Sequence, residues 1–225
     1  MVQRETQILE SFFKMPTKNE PIKIADNVSM FSSSPIVYVV HNFISDEECN
    51  AFIDFGRKNL KRSKIIDPDQ DAYIFDNSRT SYQCWIKHDA NDHINEVSKK
   101  LSTLVHMPIR NAESFQLVYY SQGAEYQEHC DAFNYDTEVG KKHWEPGGQR
   151  MTTALIYLND VEKGGGTAFP RLDIEIIPKK GDVLIFHNCK EGTNRTDYDS
   201  LHAGLPVISG EKWAVNLWFR ERHTY

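Results

Sequence analysis

From residue 114 onward, apolar and polar positions come in short runs that suit strands. "SFQLVYY", "TTALIYLND", "GTAFP", "LDIEIIP", "DVLIFH", "LPVIS" and "KWAVNLWF" are β-branched or aromatic segments separated by Gly, Pro and Asp turns. Many short strands with frequent turns predict a sandwich or barrel. The first half reads differently. "PIVYVVHNF" (35–43) is strand-like, and "SDEECNAFIDFGRKNL" follows with Ser45 and Glu48 in capping-box spacing. Cys49, Phe52, Ile53 and Leu60 then recur at helical spacing. A second helix is expected over 91–105, with Ile94, Val97, Leu101, Leu104 and Val105 on one face. Residues 61–81 read as a long polar loop, and the polar stretches 132–149 and 188–200 interrupt the β half. The expected fold class is mainly β with flanking helices, two of them packed outside a jelly-roll-like core. Residues 1–34 read as a loosely packed N-terminal extension to a single domain, 35–225.

Composition narrows the function classes. The chain has 225 residues and a net charge of −6, from 26 Lys and Arg against 32 Asp and Glu. That balance disfavours gripping nucleic-acid backbones through bulk charge. The longest apolar runs, such as "PIVYVV" and "TALIYL", are far too short for a membrane-spanning helix. "MVQRETQILESFFKMPTK" lacks a continuous apolar stretch and a small-residue cleavage site, so no leader is expected. Four widely spaced cysteines without a CxxC pair suit a reducing compartment, and the expected location is the cytoplasm. Nothing in the pattern sets an oligomeric state.

The candidate chemistry begins at "EYQEHCDAF" (125–133). In an extended chain, side chains two apart share a face, so His129 and Asp131 point together and Cys130 points away. A third ligand is expected at His202 in "SLHAGLPVISGEKW", after a polar loop and before a strand. Two imidazoles and one carboxylate on one side of a metal leave positions open, the facial triad of non-haem Fe(II) oxygenases. Zinc with the same ligands is chemically possible. Lys212 sits in the apolar run "EKWAVNLWF". Either it ends a turn and reaches solvent, or it is buried to pair with the carboxylate of an anionic cosubstrate.

Taken in order, "VVHNFISDEEC", "SRTS", "LVYYSQGAEYQEHCDAF", "GGQRMTTALIYLNDVEKGGGTAFP", "IIPKKGDVLIFHN" and "LHAGLPVISGEKWAVNLWFRE" resemble the prolyl 4-hydroxylases of the Fe(II)/2-oxoglutarate dioxygenase superfamily, over residues 35–222. The resemblance implies a double-stranded β-helix and a stand-alone enzyme of microbial or viral type. It implies Fe(II) held by His129, Asp131 and His202, and Lys212 on the far carboxylate of 2-oxoglutarate, helped by Tyr120 and Thr167. Trp218 would lie near the iron site. Glu113 and Arg150 would lie near a bound peptide, Tyr126 at its mouth, and Arg79 on a mobile loop closing over it. The implied reaction hydroxylates proline in a peptide or protein with O2 and 2-oxoglutarate, releasing succinate and CO2, with ascorbate as a further cofactor. Cys130 departs from the family, which usually has an aromatic residue there, and 132–149 is an insertion of variable length. The rival readings are an oxygenase acting on another residue, a small molecule or nucleic acid, a non-enzymatic β-barrel binding module, and a zinc hydrolase that would not need Lys212.

Overall fold

The computed structural model describes residues 20–67 and 72–224. Among these residues seventeen strands, many only two or three residues long, form two main sheets and two two-stranded ribbons. The larger has nine strands. It contains β1 (Ile22–Ala25), β2 (Val28–Ser33), β3 (Ile36–Val40), β4 (Lys61–Arg62), β7 (Tyr82–Ile86), β8 (Phe115–Tyr120), β10 (Arg150–Tyr157), β14 (Val183–His187) and β17 (Lys212–Arg220). Their order across the sheet is β1-β2-β3-β14-β10-β17-β8-β7-β4. The smaller sheet is built from β9 (Tyr126–His129), β12 (Thr167–Phe169), β13 (Ile174–Ile176) and β15 (His202–Gly204), in the order β13-β12-β15-β9. Two two-stranded ribbons complete the set: β5 (Ile65–Asp67) with β6 (Ala72–Ile74), and β11 (Lys163–Gly164) with β16 (Val207–Ser209).

The central strands of the larger sheet are buried on both faces, and β17 shows how. Alternation puts Trp213, Val215, Leu217 and Phe219 on one side, in a core with Phe52, Ile94, Val97 and Leu101 from the helices. Lys212, Ala214, Asn216 and Trp218 point the other way, toward the smaller sheet. There Tyr120, Leu155, Tyr157, Phe169, Leu184 and Phe186 form a second core. This is the expected jelly-roll layering with helices outside.

Both expected helices are present. Helix α1 (Asp46–Asn59) starts with the full capping box: Ser45 Oγ accepts from Glu48 N, and the Glu48 carboxylate accepts from Ser45 N. Helix α2 (Asp92–Leu104) is capped by Asn91. Gly56 lets α1 approach the sheet. A Cβ there would lie 2.2 Å from Leu117 Cδ2 and 2.9 Å from Trp213 Cζ3.

Three expectations need correction. Residues 22–33, assigned to a loose extension, are two strands paired onto β3, so the fold begins before residue 35. The extension up to residue 19 lies outside the described residues. The supposed loop 61–81 contains β4 and the β5–β6 hairpin. The insertion 132–149 carries helix α3 (Glu138–Trp144), capped by Thr137. For the last two the reason is shared: elements this short show too few periods for a pattern to register.

Candidate active site

The site opens between the two sheets as a cleft of about 1190 Å³. At its floor, β9 and β15 pair so that His129 and His202 are cross-strand partners. Asp131 follows β9 by two residues. Its Oδ1 lies 3.7 Å from His129 Nε2 and its Oδ2 lies 3.7 Å from His202 Nε2. One ligand atom from each of the three residues falls within 4.8 Å of the others, a grouping that does not include Cys130. Burial pushes the half-buried Cys130 thiol up to about 11, so it stays neutral.

The ligand orientations are built in. His129 Nδ1 is 2.8 Å from the Gln127 carbonyl, and His202 Nδ1 is 3.0 Å from the Ser200 carbonyl. A carbonyl can only accept, so each Nδ1 carries the proton and each Nε2 is left with a lone pair. Burial, and then the neighbouring His202, hold the His129 imidazole neutral well below its usual range. Burial alone would raise the Asp131 carboxyl, but His202, His129 and Arg150 together hold it below the usual carboxylate range. Thr153 donates to Asp131 Oδ2 at 2.7 Å, and Asn188 donates to Thr153 Oγ1 at 2.9 Å. The donor set therefore fits a metal with open positions: two nitrogens, one anionic oxygen and fixed tautomers.

Lys212 takes the buried alternative, being 3% exposed. Its Nζ sits 5.5 Å from the ring centroids of both Tyr120 and Tyr157. Among the described residues no carboxylate pairs with it, and burial drives its pKa down to about 7. Tyr120 is its cross-strand partner. Thr167 accepts a hydrogen bond from the Tyr157 hydroxyl at 2.8 Å. Burial raises both tyrosines, so their hydroxyls remain protonated. An unpaired buried cation with hydroxyls beside it, in the same cleft as the triad, fits a carboxylate ligand.

The remaining expected residues also line the cleft. Arg79 is buried, with its guanidinium 4.5 Å over the Tyr126 ring. Tyr126 stacks on His129 at 3.7 Å, and His129 lies 4.3 Å from His202, so one column of groups runs from Arg79 to the triad. Glu113 and Arg150 bond each other in a two-point pair, at 2.6 and 2.8 Å. Arg220 adds a third contact to the same carboxylate at 3.1 Å. The Arg150 guanidinium also lies 3.7 Å over Trp218.

Sequence reasoning missed Thr153, Asn188, Arg220 and Phe133, whose ring lies under both Arg150 and Arg220. A signal existed for Thr153, a hydroxyl leading into the apolar run of β10. The Asn188 link is non-local and left none.

Comparison with known proteins agrees with this geometry. Residues 115–220 match the family model described as the 2OG-Fe(II) oxygenase superfamily. A putative prolyl 4-hydroxylase of Acanthamoeba polyphaga mimivirus is 36% identical over 185 residues, covering 82% of this chain and 74% of that protein. The probable prolyl 4-hydroxylase 7 of Arabidopsis thaliana is 33% identical over 209 residues. That match covers 85% of this chain, which spans only 64% of the plant protein's length. Among solved structures, the viral collagen prolyl hydroxylase of Paramecium bursaria Chlorella virus-1, in complex with 2-oxoglutarate, matches with a TM-score of 0.65 and 29% identity. There 82% of this chain and 95% of the other are covered. The chain belongs to the prolyl 4-hydroxylase family of Fe(II)/2-oxoglutarate oxygenases.

Proposed function

We propose that this chain hydroxylates proline residues in a peptide or protein, consuming O2 and 2-oxoglutarate and releasing succinate and CO2. The observation that carries the reading is the pairing in one cleft of the His129, Asp131 and His202 group with the unpaired Lys212. A zinc hydrolase would have no use for that lysine, and a binding module would have no need of open metal positions.

In this reading His129, Asp131 and His202 hold Fe(II), which supplies O2 activation coupled to oxidation of the 2-oxo acid. Thr153 fixes the carboxylate, and the two backbone carbonyls fix the imidazoles, so the ligands need little rearrangement on loading. Lys212 regains its full charge against the far carboxylate of 2-oxoglutarate, with Tyr120 and Thr167 as hydroxyl partners. Trp218 bounds the reaction space and helps to exclude water. Tyr126, Arg79, Glu113 and Arg150 present the wall against which the substrate proline is oriented. Ascorbate serves as an external reductant. Helices among the described residues are neither long nor apolar enough to cross a membrane. The four free cysteines suit a reducing compartment, and the proposed location is the cytoplasm.

The test is mass spectrometry of proline-containing peptides incubated with protein, Fe(II), ascorbate and 2-oxoglutarate, with succinate followed in parallel. One added oxygen on proline with matching succinate is expected. Succinate formed without any modified peptide would shift the substrate to another residue or a small molecule. Neither product from iron-loaded protein would overturn the enzyme reading.

A further inference from the structure

The charge of the cleft opposes the charge of the chain. Among the described residues, seven Lys and Arg side chains line it against three Asp and Glu, a surplus of four positive charges, on a protein whose net charge is −6. A divalent metal and a dianionic cosubstrate cancel one another, so loading the site leaves that surplus in place. Four of the cations, Lys61, Arg62, Lys64 and Arg79, come from one segment that forms a wall of the cleft.

What these cations contact is neutral. Arg62 donates to the carbonyls of Arg79, Ser81 and Asp76. Arg79 donates to Ser81 Oγ at 3.4 Å, Gln116 Oε1 at 3.3 Å and the Lys64 carbonyl at 3.5 Å. Lys61 and Lys64 are exposed, and Lys64 Nζ lies 5.0 Å from the Phe75 ring. Among the described residues none of the four pairs with a carboxylate. Deeper in the cleft, Arg150 and Arg220 share the single carboxylate of Glu113. Beside this wall stand exposed aromatic faces: Tyr73 at 60%, Phe75 at 61% and Trp85 at 48% exposure. Trp85 lies 6.1 Å from Trp218.

We infer that the cleft takes an acidic, proline-containing segment, with Asp or Glu side chains beside the target proline meeting the Lys61–Lys64 wall. This rests on the prolyl hydroxylase reading and narrows its substrate class. Aromatic faces suit proline rings and extended backbone. The exposed ammonium groups of Lys61 and Lys64 at the rim, backed by Arg62 and Arg79, suit carboxylates, which steer encounter and set register. An acidic peptide is favoured over nucleic acid because the surplus is confined to a cleft on a net acidic protein.

The test uses three fluorescent peptides with one proline-containing core, flanked by Asp and Glu, by Ser, or by Lys. Binding is read by anisotropy and hydroxylation by mass. The acidic peptide is expected to exceed the Lys-flanked one roughly tenfold or more in both affinity and kcat/KM, at about 0.05 M salt. The ratio is expected to shrink toward one at about 0.3 M salt, where the screening length falls to roughly 5–6 Å. The double variant Lys61→Glu/Lys64→Glu should erase or invert the preference while leaving the 2-oxoglutarate requirement unchanged. Equal hydroxylation of all three peptides would overturn the acidic preference and keep the prolyl hydroxylase. Selective binding of the acidic peptide without hydroxylation would keep the charge recognition and overturn the hydroxylase reading. Displacement of the acidic peptide by oligothymidylate at equal charge concentration would overturn peptide recognition in favour of a general polyanion groove.

Discussion

Lys212→Met separates the cost of the buried lysine from its use. Its pKa falls from 10.5 to about 7 by burial. At 1.36 kcal/mol per unit, that corresponds to about 5 kcal/mol of folding free energy lost at neutral pH relative to an unperturbed lysine. The folded value lies below the unfolded one, so between about pH 7 and pH 10.5 the unfolded chain binds more protons. Stability of the ligand-free protein therefore rises with pH across that window. Methionine keeps most of the side-chain volume and removes the charge. The variant should be more stable at pH 7 by about 1–4 kcal/mol, the range seen when buried charges are replaced by apolar groups. For a domain of this length each kcal/mol raises Tm by about 2–4 °C. Thermal melts at pH 7 and pH 9 read this directly, with and without 2-oxoglutarate and Mn(II). With Mn(II) present, wild type should gain from 2-oxoglutarate, and the variant should gain little from it. A variant that melts at or below wild type without ligand, or that retains the full ligand shift, would refute the reasoning.

Other perturbations probe separate contacts. Thr153→Val removes the 2.7 Å bond to Asp131 without changing shape much, and should weaken metal affinity about 10–100-fold, measured by competition with a chelator. Glu113→Gln leaves Arg150 and Arg220 without their shared anion, and should destabilise by about 3–5 kcal/mol in urea melts at pH 7. Although burial opposes it, the two arginines hold the Glu113 carboxyl below its usual range. Its contribution is present above the unfolded value, near 4.3, and is lost as pH falls through the folded value, so the melts of wild type and of the Glu113→Gln variant should converge in acid. Gly56→Ala would ordinarily stabilise a helix by up to about 1 kcal/mol. Here the 2.2 Å approach to Leu117 should make it destabilising by about 1–3 kcal/mol, and a stabilised variant would show that α1 can move away from the sheet.

Much of the fold was legible because its long strands, buried along nearly their whole length, read as β-branched and aromatic runs between Gly, Pro and Asp turns, as in β10 and β17. The triad was legible because two ligands sit two residues apart, and the third stands at the border of a polar loop and a strand. Residues 22–33 escaped because bulges shift the register of β1 and β2, which breaks the alternation. The β5–β6 hairpin and α3 escaped because three strand residues, or seven helical ones, carry almost no periodic signal. Lys212 was ambiguous by nature. A lysine at a strand end reads the same whether it reaches solvent or lies buried, and only the neighbouring Tyr120 and Tyr157 decide. The support that Asn188 gives Thr153 spans 35 residues of sequence and has no local trace.

Strand β17 faces the helices with one set of side chains and the cleft with the other. A single-residue insertion or deletion in the Ser209–Glu211 turn would exchange the two sets, swinging Lys212 and Trp218 into the helix layer and Trp213 into the cleft. No gradual path connects those two registers, so this strand is frozen against change in length during evolution. The Lys61–Lys64 wall hangs from two- and three-residue strands at the sheet edge and carries no such constraint. Descendants of this chain can therefore acquire new targets by altering that edge while the chemistry at the floor stays as it is.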